Sequence, residues 1–189
     1  QKRALVSGDV SLRPMNMSDM KNEIRLIMDI FNDAWSNNWG FVPWTEAELD
    51  KLGNDLKLLV NGNYGYIASY KGEAAAFVVT LPNLNDWIKG MNGRLLPFNW
   101  AKLGWQVIKK KPTSLRMPLM GVRRKFHNTP TGSALSTLVI EAARKYHASR
   151  GGKTAELSWI LEDNLPVRRL IETFGGIPYK TYRIYEKAL

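Results

Sequence analysis

The chain has 189 residues, 44% of them hydrophobic and 23% charged, a composition typical of one soluble globular domain. It contains no cysteine and only two histidines, which excludes disulfides and thiolate metal sites and argues against any catalytic metal. Its formal net charge of +10 indicates anionic partners, and no apolar run reaches the roughly 20 residues that a membrane span requires.

Two predicted helices follow a short strand at the start of the chain. Apolar and polar residues alternate at 9–13, as in a strand, and Ser18 is placed to cap a helix that ends near 37–40. Thr45 and Glu48 form a capping-box pattern at the start of a second helix. The sequence NNWGFVPW between the helices is rich in aromatic residues, which either pack the helices together or form a wall of a substrate cleft.

The next predicted elements are a hairpin and a helical insertion. Strands at 64–70 and 74–81 flank a glycine-containing turn and predict an antiparallel pair. The segment 83–112 then holds two aromatic and basic helical pieces, broken near Pro97. It is either a lid or packed excursion, or a basic amphipathic surface that lies on a membrane or on a partner.

Charge is unevenly distributed along the chain. No Asp or Glu occurs between Trp87 and Ile140, whereas ten Lys and Arg residues do. Such a stretch attracts phosphate, nucleic acid or an anionic membrane. The alternative is a solvated surface whose counter-charges lie elsewhere in the fold, and charge alone does not choose between them.

The segment 120–135, MGVRRKFHNTPTGSAL, is the most informative part of the chain. A strand at 115–122 runs through a basic turn into a helix over 130–150, with Thr129 as its predicted cap and Pro130 in its first turn. The start of a helix leaves backbone N–H groups unpaired and concentrates partial positive charge. The sequence therefore predicts a cradle for phosphate and a phosphorylated small molecule as the ligand.

The last part of the chain adds a strand, a helix and a closing strand. A strand is predicted at 155–160, and Asp163 or Asn164 caps a helix that Gly175 closes. Tyr and Ile alternate with polar residues at 179–185, which predicts the closing strand. We find no repeat, low-complexity tract or linker that would divide the chain.

The order of these elements resembles the GNAT superfamily of acyl-CoA-dependent N-acetyltransferases. The resemblance runs from the opening SLRP strand to the closing strand, and ELSWILEDNLPVRRLIETFGG is its most specific part. It implies a single domain over 1–189 with a mixed α/β fold: a central, mostly antiparallel sheet of about six or seven strands flanked by helices. The helical insertion at 83–112 precedes the central cofactor-binding strand. The chain looks like the C-terminal acetyltransferase half of a longer, cytoplasmic bacterial protein.

The resemblance implies acetyl-CoA, or another acyl-CoA, as the cofactor. The family's loop pattern, Gln/Arg-x-x-Gly-x-Gly/Ala, falls on His127, Pro130 and Gly132, and only Gly132 matches it. Loop amides then bind the pyrophosphate, and the preceding strand binds the pantetheine arm. Asn164 holds the arm or the neighbouring strand, or is a plain helix cap. The implied cofactor-binding residues are Met120, Gly121, Val122, Arg123, Arg124, His127, Asn128, Thr129, Pro130, Thr131, Gly132, Ser133 and Asn164.

The catalytic residues are less clearly marked than the cradle. The family's usual acid, a Tyr seven residues after the Asn, is replaced here by Ile171. We predict Glu156 as the general base, with Glu162–Asp163 and Glu46 as the other candidates, and Tyr182 or else Tyr179 as the acid. The alternative roles are a salt-bridged carboxylate for Glu156 and packing for the tyrosines. An apolar pocket for the acceptor is predicted from Trp39, Phe41 and Trp159.

The predicted activity is transfer of an acetyl or other acyl group from coenzyme A to a primary amine on a small molecule or peptide. The rival hypothesis is a catalytically weak GNAT-like module that binds acyl-CoA or a partner. A nucleic-acid partner is not expected, because the aromatic residues of the basic stretch recur at helical spacing with apolar ones. Two further partners are candidates, namely an upstream domain of the same protein and a second copy in a homodimer.

Overall fold

The computed structural model describes residues 9–38, 40–109 and 111–187, which form two compact units divided after Ser158. The strands that it describes are β1 (Val10–Pro14), β2 (Gly65–Tyr70), β3 (Glu73–Pro82), β4 (Ser114–Val122) and β5 (Thr154–Leu157). The described α-helices are α1 (Met20–Trp35), α2 (Glu46–Leu59), α3 (Leu84–Ile88), α4 (Asn99–Lys109), α5 (Pro130–Ser149) and α6 (Leu165–Thr173). Helix α6 belongs to the second unit and the other elements to the first.

The sheet of the first unit has the strand order β1-β2-β3-β4-β5. Strands β1 to β4 pair antiparallel with their neighbours in chain order, whereas β5 pairs parallel with β4. Helix α5 connects β4 to β5, as expected because parallel neighbours need a long crossover. The predicted mixed α/β class and the mostly antiparallel sheet are confirmed.

Side chains that alternate along β3 fill two cores on opposite faces of the sheet. Phe77 packs in the cluster that contains Ile30 of α1. Its neighbour Val78 packs in the other cluster, with Val139 of α5. All four side chains are fully buried. The sheet therefore lies between α1 on one face and α5 on the other.

A buried polar cluster joins α5 to the sheet. The Thr80 hydroxyl donates to the carbonyl of Tyr64 at 2.8 Å, and His147 Nε2 lies 2.8 Å from the same hydroxyl oxygen. Because the hydroxyl proton is already donated, Nε2 is the donor in the second bond. Burial, together with the nearby Arg150 charge, lowers the pKa of His147 to about 4, so the cluster is uncharged at pH 7.

Two details of the sequence prediction are wrong. Residues 179–185 form no strand: they lie outside the pairings of the described strands, and Tyr182 and Tyr185 are exposed. The described sheet therefore has five strands rather than six or seven, because alternation alone cannot supply a neighbouring backbone to pair with. Ser18 does not cap α1, since it lies inside a short 3-10 turn that Asn16 caps.

The helical insertion between β3 and β4 is present as predicted, in the form of α3 and α4. Helix α4 has no buried residue, although its sequence NWAKLGWQVIK is largely apolar. Among the described residues, no helix combines the length and the apolar character needed to cross a membrane.

Candidate cofactor and acyl-transfer site

Strand β4 is paired on both sides for only part of its length. Its parallel ladder with β5 covers Ser114 to Met117, opposite 154–157. Beyond that point β4 continues to Val122, paired with β3 alone among the described strands. One edge of 118–122 therefore has no neighbouring strand among those described, although the carbonyls of Met120 and Val122 already accept side-chain bonds. Backbone groups without a strand partner can pair with an extended ligand that carries amides.

Pro118 marks the point where the two parallel strands separate. It directly follows the last β4–β5 pair and lies where the β3–β4 register shifts, between Val79 and Leu81. Proline has no N–H to donate and is found in sheets at edges and bulges. A proline inside an apolar strand is thus the sequence signal for the separation, and sequence reasoning missed it.

The chain leaves β4 through a tight turn that presents the start of α5. The Thr129 hydroxyl donates to the Phe126 carbonyl at 2.8 Å and accepts the Gly132 amide at 3.1 Å, so Thr129 is the cap that the sequence predicts. Asn128 is in the left-handed region, with φ of 56°. Within the described part of the chain, the amides of Asn128 and Thr131 make no hydrogen bond. These two donors fit an anionic group at the helix start.

Gly132 allows α5 to begin directly against this turn. A Cβ at this position would lie 2.0 Å from the Phe126 carbonyl oxygen, far inside any real contact distance. A side chain there would push the helix start away from the turn. The one position that matches the family's loop pattern therefore has a steric reason to be glycine.

The two residues that depart from the family's loop pattern, His127 and Pro130, stabilise the loop and the start of the helix. His127 Nε2 lies 2.7 Å from the Val122 carbonyl, which can only accept, so this nitrogen is the donor. The ring therefore ties the loop back to the end of β4. Pro130 occupies the first position of α5, where its missing N–H costs the helix nothing.

The basic residues of the turn are paired with acids from other elements. Arg123 contacts Asp29 of α1 at 2.5 Å and Glu73 of β3 at 3.5 Å, and Lys125 also pairs with Glu73. Arg124 is tied by its amide and its guanidinium to another α1 acid. For this turn, the expectation that counter-charges lie elsewhere in the fold is correct. The anion cradle therefore depends on amides more than on free cations.

Asp33 is the acid that holds Arg124. Its carboxylate accepts the Arg124 amide at 2.7 Å and the guanidinium at 3.3 Å. Burial alone would raise the pKa of Asp33, but the two bonds from Arg124 outweigh it and hold this pKa below its usual value. The carboxylate is consequently ionised, and the anchor closed, throughout the neutral pH range.

A tryptophan at the end of α1 contacts strand β4. Trp35, the last residue of α1, donates its indole N–H to the carbonyl of Met120 at 3.0 Å. Its ring centroid lies 5.1 Å from that of Phe31, which in turn lies 5.7 Å from that of Phe41. The predicted wall residue Phe41 is thus linked through neighbouring, tilted aromatic rings to the predicted cofactor strand. Trp39 lies outside the described residues.

The predicted base lies beside the point where β4 and β5 separate. Glu156 stands opposite Arg116 in the parallel ladder, and the carboxylate oxygen is 3.5 Å from the guanidinium. Arg116 also donates to the hydroxyl of Ser158 at 2.8 Å. The Glu156 side chain keeps 21% of its surface exposed. The Glu156 carboxylate is both ion-paired and partly exposed to solvent, so the ion pair fixes its position and still leaves it accessible.

The remaining predicted residues lie in the second unit. Asn164 caps α6 by accepting the Val167 amide at 3.4 Å, which is the plain structural role considered for it. The rings of Trp159 and Tyr182 lie 6.2 Å apart, and both side chains are exposed. The predicted acid and one predicted pocket residue are therefore neighbours.

The fold defines the class of protein. Over 95% of both chains it resembles an aminoglycoside N-acetyltransferase, AAC(6')-Iy, solved in complex with CoA, with a TM-score of 0.56 and 13% identity. It also resembles the ribosomal-protein-S18-alanine N-acetyltransferase of Escherichia coli, with a TM-score of 0.51 and 16% identity over 88% of this chain and 76% of that one. The chain has the GNAT fold of the N-acetyltransferases.

Sequence comparison finds nearer relatives. Over its whole length the chain is 45% identical to a bacterial ceramide synthase from Caulobacter vibrioides, and the match covers 49% of that protein. Over 97% of its length the chain is 42% identical to protein YghO from Escherichia coli K-12, and the match covers 47% of that protein. The chain thus spans about half the length of the curated relatives it matches. No protein-family model matches the sequence.

Proposed function

We propose that the chain binds an acyl-CoA along the open edge of β4 and transfers its acyl group to a primary amine. The observation that carries this proposal is that the stretch 118–122, which has no strand neighbour on one edge among the described strands, leads directly to the Thr129-capped start of α5. The edge suits an extended arm with amides, and the helix start suits its pyrophosphate. The unpaired amides of Asn128 and Thr131 would contact the phosphates.

The two ends of this edge are candidates for different parts of the reaction. Five residues of extended strand span roughly 16 Å, so 118–122 separates the β4–β5 ladder from the turn that leads to α5. Glu156 lies at that far end, opposite Arg116. Support for the proposal comes from this separation, because a phosphate site and a candidate base lie at opposite ends of one strand edge.

Acyl-CoA supplies a thioester, whose C–S bond breaks as the new C–N bond forms. In the proposed mechanism Glu156 accepts the proton that the attacking ammonium must lose, and the Arg116 guanidinium keeps its carboxylate in place. A proton donor is needed for the departing thiolate, and Tyr182 is the candidate for this role. Backbone N–H groups near Val122 are candidates to polarise the thioester carbonyl.

We propose a long-chain amine as the acceptor. The similarity to a ceramide synthase supports this choice, because ceramide is the N-acylated form of a long-chain amino alcohol. The half-buried rings of Trp35 and Phe41, which contact the buried Phe31, would offer an apolar wall for such a chain beside β4. A domain equivalent to the part of the longer relatives that this chain does not span is a candidate partner of the chain.

A non-catalytic acyl-CoA-binding module is the second candidate. Two observations favour it: the turn's arginines are neutralised by Asp29 and Asp33, and Ile171 stands where the family has its tyrosine. This candidate predicts ligand binding without turnover. It is therefore separated from the first by measuring both properties on the same sample.

The test is a thermal-shift titration followed by an acyl-transfer assay. Acetyl-CoA at a hundred times its dissociation constant should add about 2.7 kcal/mol of stability, whereas ATP should add little. Release of free thiol is then measured with a long-chain acyl-CoA and sphinganine, against ethanolamine as the short amine. Stabilisation without thiol release would favour the binding module, and no stabilisation at millimolar CoA would refute both.

Glu156→Gln tests the proposed base. We expect its kcat to fall at least about 100-fold while the shift with acetyl-CoA is retained, because general-base catalysis contributes about 10² to 10⁴. Glu172→Gln is the matched control, since it removes an exposed carboxylate from α6. If the kcat of Glu156→Gln stays within threefold of the parent, the activation free energy has changed by less than roughly 0.6 kcal/mol. Glu156 would then have no role as the base.

A further inference from the structure

A stretch of the helical insertion exposes large apolar side chains. Leu96 is 75% exposed, Phe98 80% and Ile108 73%. The others that are largely exposed in the same stretch are Leu95, Trp100 and Trp105. We call residues 94–109 the apolar-basic segment. An exposed apolar group of this size on a folded chain usually marks an interaction surface.

Helix α4 has apolar residues on the side that faces the fold and also on the side that faces away. Leu103 and Val107 are half-buried. Trp100, Trp105 and Ile108 follow one another at spacings of five and three residues and face outward. An ordinary surface helix would carry polar residues on its outer side. The outer apolar face is therefore not explained by packing of the helix onto its own unit.

The loop before α4 is held in place by hydrogen bonds. The Trp100 amide donates to the Leu95 carbonyl at 2.9 Å, and its indole N–H donates to the Pro97 carbonyl at 2.9 Å. The Asn99 side chain donates to the Arg94 carbonyl at 2.7 Å. These bonds leave the side chains of 95–98 pointing away from the core, so their exposure is built into the loop.

The cations of this region differ from those of the cradle. Lys89, Arg94, Lys102 and Lys109 make no ion pair with any residue that the structure describes. Lys109 lies over the ring of Trp105, 5.1 Å from its centroid. Because these four cations have no ion-pair partner among the described residues, they give the surface around α4 an excess of positive charge.

We propose that the apolar-basic segment docks on the surface of an anionic lipid bilayer. The exposed tryptophan, phenylalanine and isoleucine side chains enter the boundary between headgroups and acyl chains, and the four cations meet the lipid phosphates. A second copy of the chain is the poorer occupant, because its own unpaired cations would face these across the interface. Docking goes beyond the proposed acyl transfer and does not require it.

This docking would bring the chain to the phase in which a long-chain amine dissolves. The argument for the lipid surface itself rests on exposure and charge, whereas the identity of the acceptor rests on the proposed function. The two are measured separately: vesicle binding needs no cofactor, and the thermal shift with acetyl-CoA needs no vesicles.

The test is flotation of the chain with lipid vesicles. We expect binding to phosphatidylglycerol vesicles at low salt and at least about tenfold weaker binding to phosphatidylcholine vesicles. Lys102→Gln with Lys109→Gln should weaken binding about 30-fold, because each cation near an anionic surface contributes about fivefold. Phe98→Ser with Ile108→Ser should weaken binding at least about tenfold, since both side chains lose their burial.

The matched control is Val42→Ser with Ile184→Ser. These side chains are 75% and 81% exposed but lie outside the segment, so binding should stay within twofold of the parent. Thermal midpoints and the acetyl-CoA shift of every variant verify that the fold is retained. The proposal is overturned if the parent fails to float with anionic vesicles, or if the segment variants float like the control. Self-association that is lost in the Phe98 and Ile108 variant, without vesicle binding, would instead assign the face to a second copy and also overturn it.

Discussion

Replacing Gly132 with alanine should damage the cofactor cradle directly. The added Cβ would lie 2.0 Å from the Phe126 carbonyl oxygen, and contacts under 3.0 Å are essentially never seen, so the turn and the helix must separate by at least about 1 Å. The clash is with backbone, which cannot rotate away as a side chain can. Overpacking of this kind costs about 1 to 3 kcal/mol, or roughly 2 to 12 °C for a chain of this length.

The assay is thermal unfolding with and without acetyl-CoA. The parent should gain roughly 5 to 10 °C at saturating acetyl-CoA, whereas Gly132→Ala should gain less than about 2 °C, because its loop amides no longer converge. Gly104→Ala is the matched control. A Cβ at Gly104 would meet nothing within 4 Å, so alanine in mid-helix should raise the midpoint by roughly 2 to 4 °C and leave the ligand shift unchanged.

One result would refute the reasoning about the cradle. If Gly132→Ala unfolds at the parental temperature and keeps the full acetyl-CoA shift, the close contact between α5 and the turn has no role in holding the ligand. A loss of stability with the ligand shift intact would retain the steric argument but move the phosphate site elsewhere.

Three further outcomes are expected. Thr129→Ala should lower the unfolding free energy by about 1 kcal/mol through loss of the cap, whereas Thr137→Ala on the exposed face of the same helix should change it by less than about 0.5 kcal/mol in urea titrations. Because the folded pKa of His147 is about 4 and the unfolded value is 6.5, its contribution of about 3 kcal/mol is present above pH 6.5 and is lost as the pH falls towards 4; His147→Gln should flatten the stability profile over this window. Trp35→Phe leaves the Met120 carbonyl without its donor and should lower the free energy of unfolding by about 1 to 3 kcal/mol in the same urea titration. Repeating this titration with acetyl-CoA should restore part of the lost stability.

Features that depend on a few neighbouring residues were predictable from the sequence. Thr45 and Glu48 form both hydrogen bonds of the capping box, and Thr129 caps α5. Asn164, rather than Asp163, caps α6. In each of these patterns the side chain bonds to backbone groups within one helical turn, so the structure does not depend on a distant residue.

Features that depend on distant partners were not predictable. Arg123 finds its acid 94 residues away, and Trp35 reaches Met120 across 85 residues. The alternation at 179–185 is a genuine β-pattern, yet a strand also needs a neighbouring backbone. The roles of Glu156 and Tyr182 stay predictions for the same reason, since a catalytic role is decided by what approaches a side chain in space.

The tethers from α1 to the cradle have a consequence for ligand affinity. Asp29 and Asp33 hold the turn that follows β4, and Trp35 of the same helix holds β4 itself. The cradle is thus ordered before any ligand arrives, so little conformational entropy is lost on binding. Under the proposed function, Asp29 and Asp33 would therefore affect the affinity for the ligand indirectly, because they hold the turn to which it would bind.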